Sequence, residues 1–573
     1  MTCSVRLDIV VGVSRTPKRV STSDAAPDTS KRRRTKTKLG DSAPSLEDDA
    51  ILRGASRAEI VCWVAIFVAA IGALIWKHCT IFFLSWTDEQ IHFYVARRMA
   101  EGAVLYRDID SARPPLVLFP LAWLIKLGTS PMLAGRSLVV ASEIATAALL
   151  LWGGWRLVSW RSGALAALLF LTSPETFSRI HYTGIHLAAL TASACVLLSL
   201  RGQALRAGLC LGLSLAGDQH GLAICGIAAI VIFARRPKDA VAFVAGALII
   251  CLVVFGAVWI MGGRHLWKNL VEIHLFHFRP GQGGADQFWE MATPWLYEHG
   301  YLFAAAVLAV VLVTARRTSV KSEAPRPPSS RVVRVLILAV GGHMAVVLAM
   351  TDAAFLYFVV LTPLLALLAG LGLDAAVRRW RERKQSSPTR AKTASWVVAM
   401  EVVGLAAFVA GGWAAARSHR EGLDERPYSF WPHVLHGQVS LFHRLDVAHR
   451  IASDSSLPKG GTIFGDPTIV SAVALESGRR VSGELADLNP IWIQAGAISR
   501  EEVVSRIEHD GVTAVITPPW FLFQDPYFSS YLAACYEQPK VFAPPEAGPG
   551  YGLPDVLLFP HVQNRSPCYV ARM

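Results

Sequence analysis

Long apolar stretches alternate with short arginine and lysine clusters over most of the chain. Stretches of about 17–25 residues with few charges match the thickness of a bilayer's hydrocarbon core. They predict membrane helices near 58–84, 132–155, 162–179, 183–200, 203–217, 219–235, 238–261, 299–315, 331–350, 354–377 and 394–415. About eleven spans put the N-terminus in the cytoplasm and the C-terminus outside. The basic clusters at 156–161, 201–206, 235–238, 315–334 and 378–393 then all face the cytoplasm, as membrane topology favours. If the apolar stretch 114–127 also crossed, every later cluster would move outside. It is therefore expected to be an interfacial or re-entrant helix at the outer surface.

The expected fold is an α-helical polytopic membrane protein, with about eleven transmembrane helices and a small C-terminal α/β soluble domain. Residues 1–56 are polar, with a basic block at Lys31–Lys38, and are expected to be a disordered cytoplasmic tail. Residues 57–415 form the membrane domain, with two long outer loops at 85–131 and 262–298. Residues 416–573 form the extracytoplasmic domain. Within it Thr462–Phe464, Ile469–Ala474 and Val512–Thr517 are expected to be strands. Ser499–Asp510 is expected to be a helix, with Ser499 as its cap and Glu501 and Glu502 in its first turn.

Composition agrees with the hydropathy pattern. The 573 residues are 53% apolar and only 17% charged, against about 25% charged in a soluble domain. The net charge of +13 sits in clusters flanking the apolar segments, so it argues for membrane topology and against a nucleic-acid partner. The nine cysteines lack any CxxC spacing, which speaks against a zinc or thioredoxin-type site. Cys535 and Cys568 could pair if the C-terminal region is exported.

The chemistry concentrates in the first outer loop. It runs Ser85-Trp86-Thr87-Asp88-Glu89-Gln90, then Glu101-Gly102, Leu105-Tyr106-Arg107-Asp108 and Arg113-Pro114-Pro115-Leu116. Thr87 with Gln90 makes a capping-box pattern and Gly102 a stop, so a helix is expected over 88–101. Its stripe of Ile91, Val95 and Met99 is expected on the membrane, with Arg97 and Arg98 facing headgroups. Asp88 could simply favour the helix N-terminus. That does not account for two adjacent carboxylates at a lipid interface, or for the Tyr-Arg-Asp and Arg-Pro-Pro elements after them.

These residues in this order resemble the GT-C class of membrane glycosyltransferases, which includes protein O-mannosyltransferases and the aminoarabinose transferase of lipid A. The resemblance rests on Asp88-Glu89, on Gly102-Ala103-Val104-Leu105-Tyr106-Arg107-Asp108 and on Pro114-Pro115-Leu116. Gly135-Arg136-Ser137 and the late segment from Tyr357-Phe358 through Pro363-Leu364-Leu365 to Leu368-Ala369-Gly370 extend it across about 58–415. It implies inverting transfer of a sugar from a polyprenyl- or dolichyl-phosphate donor to a hydroxyl of a lipid, glycan or protein acceptor. Asp88 would be the general base, and Glu89 would orient it or help hold a cation.

The lipid-phosphate leaving group needs cations or hydrogen-bond donors rather than a strong acid. Candidates are Arg97, Arg107 and Arg113 in the first loop, and Arg264, Lys268 and Arg279 with His274 and His277 in the second. Histidines also occupy the place where many relatives carry a second acid, in His181-Tyr182-Thr183-Gly184-Ile185-His186. Gly217-Asp218-Gln219-His220-Gly221 stands where many carry a lysine. Secondary candidates are therefore Asp108, His186, Asp218 and His220. No cofactor is certain; Asp88, Asp218 and His220 could hold a divalent cation. His186 could equally be an interhelical partner, and His265, His274 and His277 the polar face of an amphipathic helix. Aromatic residues such as Trp76, Trp289 and Trp295 read as interface anchors, and Trp431, Trp492 or Trp520 could bind carbohydrate. The rival functions are a non-catalytic lipid-linked-sugar-binding or assembly subunit on the same fold and a secondary transporter. Apolar span centres and the lack of duplicated halves weigh against transport. A prokaryotic plasma membrane is the expected location.

Overall fold

The computed structural model describes residues 57–80, 88–174, 176, 182–263, 265–272, 284–319, 329–350, 355–385, 447–455, 457, 460–488, 492–493, 496, 498–518, 525–542 and 556–561. The expected N-terminal tail, the 394–415 span, Thr87, His181, Arg264, His274, His277, Arg279, Trp431, Trp520 and Cys568 lie outside them.

The protein is mostly helical and is an integral membrane protein. Its first helices are α1 (Arg57–Thr80), α2 (Asp88–Ala100), α3 (Pro115–Lys126), α4 (Pro131–Leu157), α5 (Trp160–Leu171), α6 (Ile185–Leu200) and α7 (Ala204–Gly217). After a tight turn at Gln219–Gly221 come α8 (Leu222–Phe233), α9 (Pro237–Ile260), α10 (Gly284–Glu298), α11 (Gly300–Ser319) and α12 (Ser329–Ala349). A 3-10 stretch, Phe355–Leu361, leads into α13 (Thr362–Gln385). Four segments, Pro131–Leu157, Pro237–Ile260, Ser330–Ala349 and Tyr357–Arg378, are long and apolar enough to cross a membrane, and shorter apolar helices accompany them. Within the segment expected to span 162–179, α5 ends at Leu171 with Thr172 as its C-cap. The outward face of α9 exposes Val241, Val244, Leu248, Leu252 and Val253, as a helix against lipid does.

Apolar attraction between helices is weak inside a bilayer, so close backbone approach holds them together. α7 and α9 pack along each other, and their crossing is made by Gly208 and Gly246. A Cβ at Gly208 would stand 1.9 Å from the Phe243 carbonyl oxygen. Backbone cannot swing aside, so Gly208→Val should destabilise the protein by roughly 1–3 kcal/mol or more. Gly226, where a Cβ meets nothing within 4 Å, should accept valine. Thermal unfolding of both variants in detergent checks the contrast.

The C-terminal region folds around a five-stranded sheet of order β2-β1-β3-β5-β4, from β1 (Thr462–Gly465), β2 (Arg480–Val481), β3 (Val512–Thr517), β4 (Lys540–Phe542) and β5 (Val556–Pro560). β2, β1 and β3 are parallel; β5 runs antiparallel to both its neighbours, β3 and β4. Its helices are α14 (Pro467–Ser477), α15 (Arg500–His509) and α16 (Pro526–Cys535). α15 starts as its sequence predicts, with Ser499 accepting the Glu502 N–H. The expected strand at Ile469–Ala474 is instead α14. Asp466 caps it by accepting the Thr468 and Ile469 N–H groups, and Pro467 occupies its first turn.

The second correction concerns α2. Its Glu89–Ala96 face is buried in protein rather than laid on lipid, because the helix is packed between α3 and α14. Ile91, Tyr94 and Val95 join Ile463, Val470, Val473 and Val481 in one apolar cluster. The Tyr94 hydroxyl accepts the Val481 N–H at 2.8 Å, and Arg97 Nη1 donates to the Leu475 carbonyl at 3.0 Å. Arg97 and Arg98 also pair with Glu101 rather than facing headgroups. The stretch from α2 to α3 is thus joined to the sheet region.

Candidate active site

The first turn of α2 carries both acidic residues, where free backbone N–H groups favour negative charge. The helix ends at Gly102, whose φ of 109° only glycine adopts without strain. The two carboxylates then diverge. The Asp88 side chain keeps 42% of its accessible surface and the Glu89 side chain none. Glu89 Oε1 lies 3.8 Å from Arg136 Nε and accepts the Tyr182 N–H at 3.3 Å. Asp88 Oδ2 accepts from Arg113 Nη2 in a close ion pair. Glu89 therefore belongs to the interior and Asp88 to the open site.

Arg113 is held in place from several directions. The Tyr106 hydroxyl donates to its carbonyl oxygen at 2.5 Å, and its own N–H donates to Ser111 Oγ at 3.2 Å. Tyr106 is fully buried with a φ of 64°, a left-handed conformation that persists only where the surroundings enforce it. Burial opposes the Arg113 charge. The carboxylates of Asp88, then Asp487 and Asp218, overcome this and hold the guanidinium protonated well above its ordinary range.

One turn beyond Asp88, His92 is completely buried and donates from Nδ1 to the Tyr182 carbonyl at 2.7 Å. Burial, reinforced by the Arg113 charge, pushes its pKa down to about 4, so the ring is neutral near pH 7.

A second polar cluster closes the other side. Asp218 caps the turn between α7 and α8, accepts the His220 N–H at 3.0 Å and pairs with the His220 imidazole. That ring stacks on Tyr357 at 4.0 Å, and the Tyr357 carbonyl accepts from His343 Nε2 at 2.9 Å. Asp218 lies within electrostatic reach of Arg113, which connects the two clusters.

The other sequence candidates are placed elsewhere. Arg107 pairs with Asp108 on the surface, and Asp108 also accepts the Val104 N–H, closing the Tyr-Arg-Asp turn. Lys268 opens a single turn whose next residue, Asn269, donates to Asp110 at 3.2 Å. His186 meets Glu143 across the α6–α4 contact at 3.4 Å, where Thr146, Thr176 and Phe170 line a small cavity beside them. Trp492 is buried. Among the described residues no three His, Cys, Asp or Glu side chains converge as an ion cage.

Sequence reading missed Glu143, although a carboxylate inside an apolar span is a signal in itself. It also missed His92, Asp487 and the Arg136–Glu89 pairing. Those partners are distant in sequence, and a single chain gives no sign of them.

The fold is similar to that of solved membrane glycosyltransferases of the GT-C class. ArnT from Cupriavidus metallidurans, solved with undecaprenyl phosphate bound, gives a TM-score of 0.58 at 15% identity, over 89% of this chain and 99% of that one. Its apo form gives 0.54 at 15% identity, over 88% and 98%. The Archaeoglobus fulgidus oligosaccharyltransferase in its apo form gives 0.47 at 10% identity, over 88% and 75%. At these identities the likeness is one of fold. No protein-family model matches the sequence, and no curated protein matches it.

Proposed function

We propose that the protein transfers a sugar, with inversion, from a polyprenyl- or dolichyl-phosphate donor to an acceptor hydroxyl at the extracytoplasmic face of the membrane. The observation that carries this reading is the Asp88–Arg113 pair: an accessible carboxylate against a half-buried guanidinium, on a fold similar to that of a protein solved with undecaprenyl phosphate. Asp88 takes the acceptor's hydroxyl proton as the acceptor oxygen bonds to the anomeric carbon. The bond from that carbon to the phosphate oxygen breaks, and the lipid phosphate leaves with its electron pair. Arg113 stabilises the leaving phosphate.

The resting ion pair fits an ordered cycle. A cation bound to a carboxylate suppresses its basicity. A donor phosphate that engages Arg113 draws it from Asp88 and frees the base only when substrate is in place. Glu89 and Arg136 fix the start of α2 from below, and Asp218 with His220 border the site opposite. No step needs a metal ion. The reading places the sheet region, about 416–573, outside the membrane, and the spans near the eleven expected from the sequence.

Arg113→Ala should weaken binding of polyprenyl phosphate by about tenfold to a hundredfold, the scale of a charge-assisted hydrogen bond. Titration of the purified protein with that lipid measures it. Unchanged affinity would remove Arg113 from the phosphate site. Donor binding without turnover would point instead to a non-catalytic lipid-linked-sugar-binding subunit.

A further inference from the structure

The segment that delivers Arg113 to Asp88 is fastened to the sheet region by a hydrogen-bonded carboxylate and by an ion pair. Asp487, which follows β2 in the sheet region, accepts the Ala112 N–H at 2.7 Å and the Ser111 hydroxyl at 3.3 Å on one oxygen. Ser111 in turn accepts the Arg113 N–H, so the chain Arg113 N–H, Ser111 hydroxyl, Asp487 carboxylate is continuous. Two residues earlier, Asp110 pairs with Arg506 of α15 at 3.0 Å. On the inner side the Tyr106 hydroxyl holds the Arg113 carbonyl.

We infer that Asp487 is a positioning residue for the transfer reaction: its carboxylate latches residues 110–113 to the sheet region and keeps the Arg113 guanidinium over Asp88. The inference rests on the reading of Asp88 and Arg113 given above. Asp487 binds the backbone and hydroxyl of Ala112 and Ser111, and its charge also faces Arg113 and Asp88. The latch makes the sheet region part of the catalytic apparatus rather than an appended module. Any movement of that region, as when an acceptor docks on it, is transmitted to Arg113 through a chain of three hydrogen-bonding groups.

Its chemistry also makes the latch responsive to pH. The groups facing Asp487 are Arg113, the Ala112 N–H, Ser111, Asp88 and the Tyr106 phenol. Burial pushes the Asp487 pKa up to about 6, with the Arg113 charge and the Ala112 N–H opposing. A carboxyl whose folded pKa is raised binds its proton more tightly in the native than in the unfolded state. Protonating Asp487 therefore costs no fold stability; its own contribution to stability rises as pH falls from above 6 toward the unfolded value near 4. Slackening of the latch and loss of fold are thus separable.

The test uses full-length protein in detergent. Hydrogen–deuterium exchange over residues 109–113 is compared between wild type and Asp487→Ala at matched pH. Sugar transfer is followed from pH 5.5 to 7.5 in wild type and Asp487→Asn. The latch predicts roughly tenfold faster exchange in Asp487→Ala, the scale of a lost charge-assisted hydrogen bond. It also predicts a wild-type rate that falls with a midpoint near pH 6. In Asp487→Asn, kcat should be lowered about tenfold, KM for the donor should rise because Arg113 holds its phosphate, and the step near pH 6 should vanish. Unchanged exchange, or a wild-type kcat and pH profile in Asp487→Asn, overturns it. Should wild type turn over no donor at all, the proposed function fails, and the exchange measurement still decides whether the latch exists.

Discussion

Asp88→Asn is expected to lower the rate of sugar transfer by about 10²–10⁴-fold, the contribution typical of a positioned general base. Asparagine keeps the size of the side chain and can still accept from Arg113, but it cannot take a proton. Binding of the donor lipid should survive, because the phosphate is held by Arg113 and not by Asp88. A parallel titration with polyprenyl phosphate, matching wild-type affinity, would separate lost chemistry from lost substrate. Full transfer activity in Asp88→Asn would remove this residue from the mechanism and direct attention to Asp218, which lies across the site beside His220.

The second large effect is expected at Arg136. Its side chain is 3% exposed and faces Glu89, whose side chain is fully buried. Removing one member of a buried ion pair leaves the other charge without compensation, at a cost of about 3–5 kcal/mol. Arg136→Ala should therefore lower thermal stability sharply, with activity lost because the start of α2 is no longer held. Replacing both partners with apolar residues of similar volume should recover most of the stability. Recovery of stability without recovery of activity would show that the pair also sets the Asp88 geometry. Unfolding curves in detergent for the single and double variants resolve the two contributions.

How far the chain announced these features depends on the range of the interaction involved. The start of α2 follows from local chemistry, since acidic residues, apolar periodicity and Gly102 all act within a few residues. The Ser499 cap of α15 and the strands β1 and β3 are equally local. The segment Ile469–Ala474 misleads because a short run of β-branched and small apolar residues suits a buried strand as well as a buried helix. The deciding signal was its Asp466-Pro467 start, a cap followed by a first-turn proline. The stripe on α2 was seen correctly as apolar and assigned to the wrong partner. Hydropathy distinguishes apolar from polar but not lipid from protein, and the covering element, α14, comes more than 350 residues later.

The site divides in the same way. Asp88 and Arg113 were both legible as chemistry in one loop, 25 residues apart, and the fold brings them into contact. Arg107 and Asp108 looked equally functional and instead pair with each other on the surface. Asp487 had no chance of selection by sequence, lying 375 residues from its Ala112 partner amid an ordinary soluble pattern.

The most direct test of the account is donor turnover by the purified wild-type protein. A panel of polyprenyl-phosphate sugars is supplied with acceptor membranes, and both released polyprenyl phosphate and the anomeric configuration of the product are measured. The account predicts release of the lipid phosphate matched by sugar appearing on acceptor, with its anomeric configuration inverted. Retained configuration, or tight lipid binding with no release from any donor, would contradict it.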